Sequence, residues 1–324
     1  MATTNVAAPA RATGLAANGQ LILLGLLVLL VLGFSIGAPQ FFSAENLVAI
    51  LRQCALVLIV AAGMTLLLIS AEVDLSVGAS LAFCGCVAMD VTNQTGSVAL
   101  GAAAGIGFGG LVGAFNGAVV TRLRVNSLIA TIATLMILQG AVYLYTREAV
   151  QNRHQLPAFT ELSTGYVGPV PIPVILATIV CLVAWVILSR TVLGRTIYAI
   201  GANASAARLA GLRPMRIRFG LFVATGLLTG LAGLILASLM NAGQPTAGRG
   251  FELTVVAAVI LGGTSLSGGR GTLFGTVLGV LVLKVIDNGI IIMRWNQDLQ
   301  MVVPGVVIIV ATWLDQVRRR GDGH

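Results

Sequence analysis

Charge is scarce in this chain of 324 residues: 9% are Asp, Glu, Lys or Arg, against 57% hydrophobic. A soluble domain carries roughly a quarter charged residues, so a water-facing shell around an apolar core is excluded. Histidine is nearly missing too. His154 and His324 are the two present, which argues against a histidine metal centre. Cys54, Cys84, Cys86 and Cys181 all sit in apolar stretches, and no pair has zinc-ribbon or redox spacing. They read as small buried hydrophobes. No G-x-x-x-x-G-K-[ST] occurs, and the Gly-rich "GGRGT" of 268–272 lacks the lysine, so the chain has no P-loop for ATP. There is no Ser/His/Asp or Cys/His set and no paired acids of defined spacing. We expect no catalytic residue, no metal and no enzymatic activity.

Long apolar runs are what the chain does have. A bilayer span needs ~20 predominantly apolar residues, and ten segments qualify as candidates: 20–38, 47–70, 74–92, 97–120, 126–146, 168–189, 217–241, 251–266, 271–291 and 298–314. The eighth is short and the third starts beside Glu72 and Asp74, so both are candidates for broken or re-entrant segments. The first is long for a signal peptide and reads as an uncleaved helix. The expected class is all-α, polytopic and membrane-embedded. Residues 1–19 are expected to be a disordered cytoplasmic N-terminus, 20–315 one transmembrane domain, and 316–324 a basic cytoplasmic tail.

The net charge of +8 is a topology signal. With both ends in the cytoplasm, thirteen of the nineteen basic residues fall in inside segments, Arg52, Arg147, Arg153, Arg249 and Arg294 fall outside, and Lys284 lies within a span. That excess is the positive-inside bias, and nucleic acid is not expected as a partner. Residues 147–167 form the long outside loop and 190–216 the long inside one.

Gly101, Gly105, Gly109, Gly113 and Gly117 recur every four residues in the fourth segment. They line one helix face and let a neighbour approach to backbone contact. The same stretch contains "GIGFGG", a dinucleotide pattern, but it lies mid-span and not between a strand and a helix, so no cofactor is expected. A weak echo links "LSVGASLAF" (75–83) to "LSGGRGTLF" (266–274); an internal duplication and chance similarity account for it equally.

Polar side chains inside spans point to function by default. Lys284 and Asp287 are spaced to pair on one helix face. Asp74 is placed to cap the third helix, with substrate contact as the alternative. Asp74, Ser76, Asn116, Asn126, Ser127, Asp287 and Asn288 are the candidate lining of a translocation path; hydrogen bonding between helices accounts for such groups equally well.

The stretch "GANASAARLAGLRP" (201–214) is a short helix with its own stop signals inside the basic inner loop: Asn203 or Ser205 as N-cap, Gly211 at the C-terminal end, Pro214 beyond. Together with "GMTLLLISAEVDLSVGASLAF" (63–83), "GAFNGAVVTRLRVNSLIATIATLMILQG" (113–140), "LGRTIYAIGANASAARLAGLRPMRIR" (193–218) and "FELTVVAAVILGGTSLSGGRGTLFGTVLG" (251–279), it makes the chain resemble the ribose/xylose-type permeases of bacterial ATP-binding-cassette sugar importers. The resemblance runs from about residue 20 to 315. It implies an inner-membrane subunit conducting a monosaccharide or polyol. The implied partners are a separate ATPase carrying ATP-Mg, a second permease copy and an extracytoplasmic sugar-binding protein. It also implies that 201–214 is the coupling helix, with contact to the ATPase carried by Asn203, Ala206, Ala207, Arg208 and Gly211. Permeases for branched-chain amino acids or nucleosides, and an ATP-independent secondary transporter, are the alternatives; "VDLSVG" favours the sugar branch. Ser70, Ala71 and Glu72 stand where sugar permeases usually show Thr-Gly-Gly, and Ala204 and Ser205 where Pro and an acid are common. These departures leave the solute and the ATPase partner open.

Overall fold

The structure, a computed structural model, describes residues 12–321, with side chains over 20–310. Residues 1–11 and 322–324 lie outside the described residues, and with them most of the expected disordered start and the end of the basic tail. The first helix, α1, runs Ala12–Gly37, so helix begins ahead of the expected residue 20. A 3-10 turn, Pro39–Phe42, leads into α2 (Ala44–Ile69), followed by α3 (Val77–Thr95), α4 (Val98–Thr121) and α5 (Ser127–Tyr145). Next come β1 (Val150–Gln151), α6 (Pro157–Thr164), β2 (Tyr166–Val167), β3 (Val170–Pro171), α7 (Ile172–Arg190), α8 (Val192–Ala202) and α9 (Ala204–Leu209). Then α10 (Pro214–Met240), β4 (Ala242–Gly243), α11 (Phe251–Leu261), α12 (Leu273–Ile292) and α13 (Leu299–Gly321) complete the chain.

Every one of the ten expected segments contains a helix, but among the described residues seven helices are long and apolar enough to cross a membrane: α1, α2, α4, α5, α7, α10 and α12. The chain is thus a multi-pass membrane protein, and the count of ten spans does not carry over. For two of the other three, α3 and α11, the cause is physical. The last turns of α3 are polar, with Asp90, Asn93 and Gln94, and α11 has 11 residues. In α13 the described apolar stretch is Leu299–Val310.

From Ile59 to Ile69, α2 is buried on all sides, as an all-round apolar helix must be when it sits at the centre. Around it stand α10, α12, α11 and α7. The glycine ridge of α4 faces two partners: Gly101 and Gly105 lie on α3, and Gly109, Gly113 and Gly117 on α10. A Cβ on Gly109 would sit on the carbonyl of Gly226, and one on Gly226 on the carbonyl of Gly109. Two backbones touch here because neither helix carries a side chain at the crossing.

Between α10 and α11 the chain does not stay at the surface. Asn241 turns with φ +50, and β4 pairs antiparallel with β1. The backbone then follows α3 from Cys86, beside Gly243, to Gly78, beside Gly248. By helix rise, Gly78 is about 25 Å from the Thr95 end of α3. The segment 242–250 is therefore re-entrant, which makes α11 short. Arg249, expected in a surface loop, is carried inward with it.

Candidate functional site

The long loop of 190–216 is almost wholly helical. Its knuckle is α9, six residues long. Asn203 caps it, accepting from the backbone N–H groups of Ser205 at 3.0 Å and Ala206 at 2.9 Å. At the other end Gly211 takes φ +84. Its N–H donates to Arg208 at 3.0 Å, and Leu212 donates to Ala207 at 3.0 Å. This is the Schellman arrangement, in which a glycine in the left-handed region closes the last carbonyls. Asn203, Ala206, Arg208 and Gly211 are exposed, and Leu209 is 92% exposed. Ala207 is buried at 5%, so its expected place on a partner-facing surface is corrected: it anchors the knuckle from beneath.

The base of the knuckle is wedged into the membrane domain. Gly201 lies directly on the carbonyl of Ile69, the last residue of α2, and Gly269 donates to that same carbonyl at 2.8 Å. Tyr198 donates to Gly271 at 2.8 Å, and burial pushes its phenol above the usual value, which keeps it a donor. The two echoing sequence stretches begin within the turns that meet at this point: 70–76 leads from α2 into α3, and 262–272 from α11 into α12.

At that junction the chain leaves helix for seven residues. Ala71 has φ +64, a conformation that costs a non-glycine residue energy. Arg218, early in α10, holds the break from the side. Its Nη1 pairs with Glu72 at 2.8 Å and its Nη2 donates to the Ser70 carbonyl at 2.9 Å. Further along, Asp74 accepts from the Ser76 N–H at 2.8 Å and the Ser76 hydroxyl at 2.6 Å. Asn116 donates to Ser76 at 2.8 Å and to both Asp74 oxygens at 3.3 Å, and Thr134 donates to Asn116 at 2.6 Å. Asp74 is therefore not the cap of α3; Ser76 holds that position, and Asp74, two residues earlier, makes a local turn. Thr131 and Ser127 of α5 accept from the backbone N–H groups of Leu75 and Val73, at 3.1 and 3.4 Å. Unpaired backbone donors away from water are costly, and α5 answers them in the broken stretch.

The remaining candidates lie elsewhere. Asn126 is exposed and caps α5 through Leu128. Asp287 pairs with Lys284 at 2.7 Å, and Asn288 exchanges two hydrogen bonds with Asn46 of α2, at 3.0 and 2.7 Å. The structure thus brings Asp74, Ser76, Asn116 and Ser127 together and leaves Asn126, Asp287 and Asn288 apart.

Comparison with known proteins agrees with this architecture. A family described as "Branched-chain amino acid transport system / permease component" matches residues 46–312. The chain belongs to that permease family. The ribose import permease protein of Escherichia coli (strain K12) is 38% identical over 307 residues, 93% of this chain and 94% of its own. That of Bacillus subtilis (strain 168) is 36% identical, covering 90% and 91%. The L-arabinose ABC transporter permease protein of Azospirillum brasilense is 35% identical, covering 96% and 92%.

In this permease the sequence reading missed two features. The Glu72–Arg218 pair joins residues distant in sequence, and no local pattern announces it. Leu209 was visible as one of two large apolar residues in the knuckle, but its outward direction depends on how α9 is seated.

Proposed function

We propose that the chain is the membrane-spanning subunit of an ATP-driven importer for a monosaccharide or related polyol. It works as two copies, or with a related chain, in a bacterial cytoplasmic membrane with both termini inside. A separate ATPase carries ATP-Mg, and an extracytoplasmic sugar-binding protein delivers the solute. The observation that carries this reading is the capped knuckle α9, which offers Ala206, Arg208 and Leu209 outward while its base rests on the end of α2. A push on α9 reaches the α2–α3 break through Gly201 against Ile69 and through Arg218 against Glu72. The Asp74–Ser76–Asn116–Thr134 cluster lies next along that break and is the element whose rearrangement would open or close a path. The ribose and arabinose permease relatives favour a sugar as solute.

The test is reconstitution of the chain with its ATPase and binding protein in vesicles. Uptake of a pentose that requires ATP supports the reading. Uptake driven by a proton or sodium gradient without the ATPase, or uptake of leucine in place of the pentose, overturns it.

A further inference from the structure

On the face away from α9, a cavity of about 350 Å³ opens between α3, α5 and the re-entrant segment. This size falls in the ~300–1,000 Å³ range of small-molecule sites. Its back wall is made of small residues, Ala79 and Ala82 of α3 and Gly248. Its side wall is one stripe of α5: Met136, Gln139, Gly140 and Tyr143, spaced three and four apart. Its polar groups come from two elements. Arg249 donates to the Tyr143 hydroxyl at 3.2 Å, and no carboxylate lies in ion-pair reach of Arg249 among the described residues. Gln139 is exposed, and no hydrogen bond among the described residues uses its side chain.

This placement is costly against lipid. Gly248 lies at the level of Gly78, deep along α3, and from the next residue the Arg249 guanidinium reaches Tyr143 of the membrane-length helix α5. Polar side chains at that depth face a bundle interior or a water-filled cavity. A cation, a phenol and a primary amide converging on a space walled by small side chains form a donor-rich pocket.

We propose that this cavity is a binding station for the transported solute, gripping adjacent hydroxyls of a monosaccharide. The Arg249 guanidinium spans two neighbouring oxygens, Tyr143 is held by Arg249 with its own proton free to donate, and Gln139 both donates and accepts. The station rests on the sugar-import reading above. It adds solute discrimination within the membrane subunit itself, made by residues different from the Asp74 cluster.

The experiment uses the reconstituted complex and compares uptake of a pentose with uptake of its deoxy analogue, which lacks one hydroxyl. Gln139→Ala and Arg249→Lys are expected to lower the preference for the pentose about tenfold, since each removes a hydrogen bond to that hydroxyl set. ATPase stimulation by the loaded binding protein is expected to stay unchanged. A residue that merely supports the fold would slow both solutes equally, so an unaltered ratio in both variants overturns the station. Gly140 provides a second arm, because a side chain there meets open space and helix propensity improves. Gly140→Trp is expected to assemble and lose uptake, and an assembled complex that transports at the wild-type rate overturns the proposal. Failure of the wild-type complex to take up any monosaccharide or polyol is a separate result, which sinks the import reading.

Discussion

Arg218 and Glu72 form a 2.8 Å ion pair between the start of α10 and the loop after α2, with 13% and 8% of their side chains exposed. The pair ties the helix that leaves the knuckle to the stretch where the membrane domain is broken. Removing one partner leaves a buried charge alone, while removing both does not. Glu72→Ala is expected to cost about 3–5 kcal/mol, measured by thermal unfolding in detergent. The double replacement Glu72→Ala with Arg218→Met should recover much of it. Additive losses would show that the two charges are energetically independent.

Gly109 and Gly107 make a matched pair of positions on α4. A side chain at Gly109 runs into the backbone of α10, and one at Gly107 meets nothing. Gly109→Leu is therefore expected to lower stability by about 1–3 kcal/mol or more through overpacking, while Gly107→Leu is neutral. Equal melting temperatures for the two variants would refute the helix crossing described above.

In α9, exposure separates coupling from folding. Leu209→Asp is expected to leave melting unchanged and to abolish ATP-driven uptake, because the residue stands free of the permease. Ala207→Trp should instead destabilise the chain, since Ala207 is buried. Normal uptake with Leu209→Asp would remove the knuckle from the ATPase contact.

The Asn203 cap is worth about 1 kcal/mol. Asn203→Ala is expected to loosen α9 by that amount, seen as faster amide exchange at Ser205 and Ala206. Unchanged protection at both residues would show that tertiary contacts, not the cap, hold the knuckle.

For Asn116→Ala the expected loss is about 1–3 kcal/mol, because Asp74 and Ser76 lose a donor where water is excluded, while Thr134 keeps the Ala130 carbonyl as its acceptor. Asn116→Asp should be worse, placing a second carboxylate beside Asp74. Thermal unfolding of the purified permease checks both, and a neutral Asn116→Ala would mean that water replaces the amide.

The helical class, the places of the helices, the glycine ridge and both caps of α9 were legible in the sequence, because each rests on local rules. Hydropathy over about 20 residues marks a span, four-residue spacing marks a face, and Asn and Gly mark helix ends. The Lys284–Asp287 pair was legible for the same reason, being one turn apart. Other features were not. Asp74 looked like a cap because it precedes a helix, and its actual partners are Ser76 in the same turn and Asn116 of α4. Arg249 looked external because a polar stretch between two spans reads as a surface loop, yet glycines at 243 and 248 let that stretch press down along α3.

By itself, the order of residues decided what must be buried in lipid, where helices start and stop, and which faces are smooth enough to touch. These follow from the transfer of side chains and backbone out of water, a property of each short segment. Tertiary structure alone decided which residues meet across the bundle: Glu72 with Arg218, Asn116 with Asp74, Gln139 with Arg249 around an open space. Those meetings depend on how far each helix slides and tilts against its neighbours, and that is a sum over many contacts that no local window contains.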